Sequence, residues 1–229
     1  MGSYSFANCS SINGRVKIPN KVTSIDESTF YSCSAIDTII LPDSLQHIGK
    51  NAFANCTNIT GNISIPGTCS IIDSNAFANC DNIIALDIDN AKTSIGNHSF
   101  ISCDRLVSVN LGDSATSIGN LAFKDCFRLN NVQMGNSVAS IGNNAFEYCT
   151  NLKNVTIESA NIYIAAAGVS NSHAGRILGY AKTINVLASV VDDTNNTNSF
   201  LNDTTKYTKS AKHVIGDDNK EYYTYTKVS

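Results

Sequence analysis

The sequence predicts a right-handed solenoid, an α/β superhelix of mostly parallel strands with short helical or 3₁₀ turns, closed by an irregular C-terminal cap. Three observations predict it. First, Phe6, Phe30, Phe53, Phe77, Phe100, Phe123 and Phe146 recur at intervals of 24, 23, 24, 23, 23 and 23 residues. Second, a cysteine follows each of them by three residues: Cys9, Cys33, Cys56, Cys80, Cys103, Cys126 and Cys149. Third, an aliphatic residue stands three further on, at Ile12, Ile36, Ile59, Ile83, Leu106, Leu129 and Leu152. A fixed period of this length marks a supersecondary unit that buries its apolar side only by stacking on copies of itself.

The strand of each unit lies between the cysteine and the next copy. It is read from alternating apolar pairs: Ile39 and Leu41, Leu86 and Ile88, Val109 and Leu111, Val132 and Met134, Val155 and Ile157. Period two means that one face of the strand is buried. The two 24-residue copies shift the pair by one, to Val16 and Ile18 and to Ile63 and Ile65, and each carries an added glycine, Gly14 or Gly61. A glycine beside a one-residue insertion predicts a bulge that restores register.

Next comes a short extended segment around Ile25, Ile48, Ile72, Ile95, Ile118 or Ile141, five residues before each phenylalanine from the second onward. Gly or Asp follows it, then two variable residues, a small residue and the Phe, as in Ile-Gly-Asn-Asn-Ala-Phe at 141–146. Gly and Asp suit the start of a helical turn, so one helical or 3₁₀ turn is expected there. With rungs about 4.7–4.9 Å apart, seven of them stack to roughly 30 Å.

Size and charge narrow the function. The chain has 229 residues and a formal net charge of −3, with no run of five Lys or Arg. It therefore lacks the basic field that concentrates a protein on phosphate, and nucleic acid is not an expected partner. No stretch approaches the roughly 18 apolar residues of a membrane-spanning helix, so membrane insertion of this segment is not expected. The first residues lack the order of a signal peptide. Met1, Gly2 and Ser3 run straight into Tyr-Ser-Phe-Ala-Asn-Cys, mid-repeat, which reads as a chain cut from a longer protein.

The pattern Ile-Gly-x-x-Ala-Phe-x-x-Cys-x-x-Leu-x-x-Val-x-Leu, with seven matches over residues 4–158, resembles the BspA-like, Treponema-type leucine-rich repeat. Some copies keep the proline that follows the strand in this family, in Ile-Leu-Pro at 40–42 and Ser-Ile-Pro at 64–66. Later copies have Asp89, Gly112, Gly135 and Glu158 there, a departure expected to loosen the corner. Members of the family are typically surface or secreted proteins of host-associated bacteria and of protists, several of them regarded as adhesins. The resemblance thus implies a leucine-rich-repeat solenoid that binds a protein ligand, an extracellular matrix or host surface protein, or a glycan.

Beyond the array, residues 159–193 read as a degenerate C-terminal capping repeat. Ile184 and Val186 are expected to pair onto its last strand and shield the open end. Residues 194–229 form a polar tail, with a loop over the Asn-, Thr- and Lys-rich 194–211. A β-hairpin follows, from Lys212-His-Val-Ile through Gly216-Asp-Asp-Asn to Lys220-Glu-Tyr-Tyr-Thr-Tyr-Thr-Lys-Val.

Reactive side chains give no catalytic pattern. No Cys-x-x-Cys pair occurs, and the repeat puts each ladder thiol on its own rung, so the cysteines read as buried structural groups and not as metal ligands or disulfides. Cys69 alone stands off the ladder, exposed or filling a corner. His47, His98, His173 and His213 are scattered and match no catalytic motif. Asp81, Asp87 and Asp89 read as surface carboxylates, because no calcium-loop glycine accompanies them. No enzyme, metal or cofactor is expected. Eight Asn-x-Ser/Thr sequons occur, at Asn8, Asn55, Asn58, Asn62, Asn97, Asn154, Asn195 and Asn202; Asn62 and Asn154 fall on strands and should face outward.

What remains is a surface. Between the buried pairs the strands point Lys17, Ile40, Ser64, Asp87, Asn110, Gln133 and Thr156 outward, flanked by Arg15, Thr38, Asn62, Ala85, Ser108, Asn131 and Asn154. Solenoids commonly bind ligands on such a continuous face, and this stripe is polar with little charge. Two placements are compatible with it. One is a cell-surface or secreted adhesion module; the alternative is a cytoplasmic protein–protein interaction scaffold, favoured by the unpaired cysteines.

Overall fold

A computed structural model describes residues 1–88, 92–159, 163–164, 183–187, 207–209, 213–214 and 221–227. Expectations for Asp89, His173, Asn195, Asn202 and the turn at 216–219 lie outside them. The chain alternates a longer strand with a two-residue one. It begins β1 (Gly14–Lys17), β2 (Ser24–Ile25), β3 (Ile36–Ile40), β4 (His47–Ile48), β5 (Gly61–Ile65) and β6 (Ile71–Ile72). It continues β7 (Ile83–Ile88), β8 (Ser94–Ile95), β9 (Ser108–Asn110), β10 (Ser117–Ile118), β11 (Asn131–Met134), β12 (Ser140–Ile141) and β13 (Asn154–Ile157). The last elements are β14 (Tyr163–Ile164), β15 (Thr183–Leu187), β16 (Tyr207–Lys209), β17 (His213–Val214) and β18 (Glu221–Lys227).

These strands form a parallel-strand β-solenoid. The two-residue strands β2 to β14 stack in parallel as one seven-stranded sheet. The longer strands form a second sheet in which β5, β7, β9, β11, β13 and β15 pair in order, while β1 pairs β3 separately. At the far end β18 lies antiparallel on β15, and β16 and β17 both pair with β18. Ile184 and Val186 stand opposite Val155 and Ile157, as the sequence predicts. The strands of the expected hairpin are present as β17 and β18, with His213 opposite Tyr222.

The stretch 194–211 is not all loop. Tyr207–Lys209 is a strand, because β18 is seven residues long and offers it an edge to pair with, and Tyr and Thr suit a pleated surface.

The core lies between the two sheets. Phe53, Phe77, Phe100, Phe123 and Phe146 are fully buried. The seven phenylalanine rings stack one on the next with centroids 5.1–5.3 Å apart and ring planes within 15°. The apolar pairs of the strands point the same way, Leu86 and Ile88 on β7 and Val132 and Met134 on β11 being fully or nearly fully buried. These positions open toward the first rungs, where Phe6, Ile12 and Val16 of the first and Leu41 of the second are half-buried.

Both insertions are absorbed where the glycines stand. Register shifts between Gly14 and Arg15 on β1, and between Gly61 and Asn62 on β5. The two glycines have φ of +71° and +83°, in the region that costs other residues a clash of Cβ with backbone.

The expected helical or 3₁₀ turn does not form: among the described residues every Phe-bearing segment is a run of β-turns. Two residues four apart in each rung have positive φ, from Tyr4 and Asn8 through Asn51 and Asn55 to Asn144 and Tyr148. A left-handed residue ends a right-handed helix, and two per rung leave no room for one. The amides then alternate. Ala52, Ala54 and Cys56 donate within their own rung, to Gly49, Asn51 and Phe53, whereas Asn51, Phe53 and Asn55 donate to Ser74, Ala76 and Ala78 of the next. The turn segments are thereby bonded across rungs much as strands are, and the buried backbone is satisfied without helix.

The cysteine ladder is structural. All eight cysteines are free. Each ladder thiol from Cys33 onward donates to the carbonyl of the phenylalanine one rung back, as Cys56 Sγ does to Phe30 at 3.0 Å and Cys149 Sγ to Phe123 at 3.0 Å. Cys69 fills a corner: it is buried, with its Sγ 3.5 Å from the Ile71 carbonyl.

Burial pushes the Cys56 thiol from 9.0 up to about 12 and that of Cys69 up to about 11, and it raises Cys80, Cys103 and Cys126 as well. Below pH 9 these thiols are neutral in both states and pH has no leverage through them. Between pH 9 and about 12 the unfolded chain sheds protons that the folded chain keeps, so stability falls as pH rises. The urea midpoint should therefore drop between pH 9 and 11, and drop less steeply in Cys56→Ala, whatever that variant's stability at pH 7. Equal slopes for the two proteins would show that Cys56 ionises normally in the fold.

Candidate interaction face

The outward positions of the long strands are brought into line. Ser64, Asp87, Asn110, Gln133 and Thr156 stand opposite one another on β5, β7, β9, β11 and β13, one rung apart, and Asn185 on β15 continues the row. Ser64, Asn110 and Gln133 are exposed; Asp87 and Thr156 are half-buried. In the flanking row Asn131 and Asn154 are joined side chain to side chain at 2.8 Å, so this part of the face presents oriented amides. Ala85 of that row is buried.

The face is not continuous through all seven outward residues. Lys17 and Ile40 pair with each other on β1 and β3, but no strand ladder joins β3 to β5. The extra residue of the β5 rung is taken up by the register shift on its β7 side. Across the gap to β3, the rungs are linked by the Thr60 amide donating to Asp37 O at 2.9 Å. Lys17 and Ile40 therefore form a separate, smaller patch, with Ile40 half-buried.

The structure adds an apolar margin to the polar row. Ile84 and Val107 are 45% and 38% exposed on consecutive rungs, the Val107 amide donating to Ile84 O at 2.8 Å. The fourth residue past each ladder cysteine is Asn13, Asp37, Thr60, Ile84, Val107, Asn130 or Lys153, so the two apolar members are visible in the repeat once that column is read. Elsewhere, a shallow groove of about 390 Å³ runs along the two-residue strands, lined among others by Ser94, Ser117, Ser140, Gly96 and Gly119.

One histidine is less isolated than its sequence neighbours imply. His47 on β4 places Nε2 2.8 Å from Asp73 Oδ2 and Nδ1 3.5 Å from Ser24 Oγ. Ser24 donates its hydroxyl to Asp26, and His47 and Asp73 are 37% and 46% exposed on an open sheet. With the serine proton already engaged and no enclosing cavity, the cluster is a brace across three rungs. Among the described residues no group of three His, Cys, Asp or Glu could hold a metal ion. No helix among them is long and apolar enough to cross a membrane.

The sequons differ in what their side chains do. Asn55, Asn97 and Asn154 are engaged with neighbouring rungs, Asn97 Oδ1 accepting from the Asn120 amide at 2.7 Å. Asn62 and Asn154 are exposed on their strands, as expected.

The sequence profile of the BspA type leucine rich repeat region matches residues 1–103 and 70–187, in six copies. The chain belongs to the BspA-type leucine-rich-repeat family. Among solved structures it is similar to a leucine-rich-repeat protein of Treponema pallidum, with 27% identity and a TM-score of 0.60 over 66% of this chain and 70% of that one.

A leucine rich cell surface protein from Faecalibacterium prausnitzii aligns at 19% identity and TM-score 0.43, over 76% of this chain and 65% of its own length. A leucine-rich-repeat protein from Bacteroides ovatus aligns at 22% and 0.45, over 72% and 54%. The chain thus spans less than two thirds of these last two. No curated protein matches the sequence. Repeat solenoids of this family are typically non-enzymatic and serve protein interaction.

Proposed function

We propose that the chain is the protein-binding module of a surface or secreted leucine-rich-repeat protein, and that it takes its ligand on the long-strand face. The observation that carries this reading is the unbroken register of Ser64, Asp87, Asn110, Gln133 and Thr156, a row exposed at the uncharged Ser64, Asn110 and Gln133 and with one charge in five. Such a row offers directional hydrogen bonds at fixed spacing with little charge to desolvate. Ile84 and Val107 beside it supply apolar area, which interfaces place next to polar rims. Lys17 and Ile40 stand on the detached patch and contribute less. Residues 4–158 form the binding array in this reading, 159–193 are its capping repeat, and 194–229 are a polar tail whose strands β16, β17 and β18 add to the sheet.

Binding to a panel of immobilised matrix proteins and neutral glycans, measured by surface plasmon resonance, tests the assignment. Asn110→Trp combined with Gln133→Lys should abolish whatever binding the wild type shows, with the circular dichroism unchanged. Lys50→Gln, exposed in the turn after β4 and off the long-strand sheet, should leave it intact. Full retention of binding by the double variant would remove this face from the function.

A further inference from the structure

We infer that Asn13 is a site of spontaneous deamidation, which installs a carboxylate at the head of β1. The chain contains a single Asn-Gly dipeptide, Asn13-Gly14, and Arg15 follows. The reaction needs water alone. The Gly14 amide nitrogen attacks the Asn13 side-chain carbonyl carbon, a C–N bond forms, and ammonia leaves with the displaced amide nitrogen. Water then adds to either carbonyl of the resulting five-membered imide and opens it to aspartate or to the β-linked isoaspartate.

Attack by a backbone nitrogen is limited by crowding around the following residue, and here crowding is absent. Gly14 carries no Cβ, its φ is +71°, and nothing lies within 4 Å of where a Cβ would stand. Asn13 is exposed, and no hydrogen bond holds its side chain among the described residues. β1 is an edge strand that pairs only with β3 there.

Several other asparagines are held by hydrogen bonds. Asn97 and Asn120 accept the amides of Asn120 and Asn143 at 2.7 Å, Asn79 donates to Asn55 at 2.8 Å, and Asn136 accepts the Ser137 hydroxyl at 3.0 Å. Each of these fixes an amide that would have to rotate toward the backbone.

The fold can absorb the product. Isoaspartate lengthens the main chain by one methylene, and it does so beside the step between Gly14 and Arg15 where register already shifts. The new carboxylate stands next to Arg15 and Lys17, the two cations of β1, and takes the formal net charge from −3 to −4 (−3 − 1). The inference does not depend on the binding face proposed above.

Ageing the full folded chain at mildly alkaline pH, followed by proteolysis and mass spectrometry, reads it directly. The peptide containing Asn13 should convert first, with the mass change of an amide-to-acid exchange. It should also accept a methyl group from S-adenosylmethionine through a protein-isoaspartate methyltransferase used as probe. On isoelectric focusing, the aged protein should gain an acidic band one charge away, and Asn13→Gln should lack it. The inference is overturned if Asn13 stays amidated in the folded chain while converting in urea, or if the acidic band persists in Asn13→Gln.

Discussion

Replacing Phe100 by Ala should destabilise the chain by about 3–5 kcal/mol, toward the upper end of what burying and then deleting a core ring costs. Phe100 is wholly buried and lies between two rings, 5.2 Å from Phe77 and 5.3 Å from Phe123. Its removal therefore opens a cavity and also ends two stacked contacts worth about 0.5–1.5 kcal/mol each. Phe6, half-buried and stacked on Phe30 alone, is the internal control, and Phe6→Ala should cost only about 1–2 kcal/mol.

A repeat array behaves as a row of units coupled to nearest neighbours, so a break in mid-stack also uncouples its two halves. Urea unfolding followed by far-ultraviolet circular dichroism should show a lower midpoint and a broader transition for Phe100→Ala. For Phe6→Ala it should show a small shift with unchanged breadth. Equal effects at the two positions would mean that the ladder does not hold the stack together.

The contrast bears on how much of this molecule its sequence makes legible. The phenylalanines, cysteines and aliphatic pairs announce themselves because stacking demands the same size and polarity on every rung, and identical demands leave a period. The turn segment does not. Gly and Asp ahead of Asn-Asn-Ala-Phe satisfy the start of a helix equally well. What excludes helix is the pair of left-handed residues, and their chemistry varies from rung to rung: Asn at 51, 55, 75 and 79, but Ser28, His98, Leu121 and Tyr148 elsewhere. Asn tolerates that conformation, so Asn-x-x-x-Asn at 51–55 and 75–79 was the available signal. Leu121 gains nothing from it locally and is held there by its amide, bonded to Asn143 O of the neighbouring rung at 2.9 Å, which only the stacked structure reveals.

The outward-facing row was legible by alternation, since a strand with one buried side must point its other residues outward. Its interruption was not. The two glycine insertions behave alike, β1 keeping its ladder to β3 and β5 its ladder to β7, but β5 also follows a strand, and its ladder back to β3 is lost. Which neighbour loses its hydrogen bonds depends on the side toward which the extra residue is displaced. That is a property of two adjacent rungs together, whereas the repeat pattern describes one rung at a time.

Gly135→Ala should be among the most damaging single-methyl changes in the chain. Gly135 stands at the corner after β11, where other copies carry proline, and the sequence alone reads the loss of proline as a loosening. The packing is the reverse. A Cβ on Gly135 would stand 2.0 Å from Gly112 O and 2.5 Å from Asp113 Cα on the rung below. Both are main-chain atoms that no rotamer change can move aside, so the rungs themselves must separate. Overpacking of a close-packed interior costs about 1–3 kcal/mol, and more where backbone must move.

Gly14→Ala separates this steric effect from conformational preference. Its Cβ would meet nothing, and its positive φ should cost about 1–2 kcal/mol by itself. In urea titrations Gly135→Ala should therefore lose more stability than Gly14→Ala, although Gly135 is not among the residues with positive φ. The opposite order would show that the corner after β11 has slack, and that glycine is kept in this chain for its dihedral freedom alone.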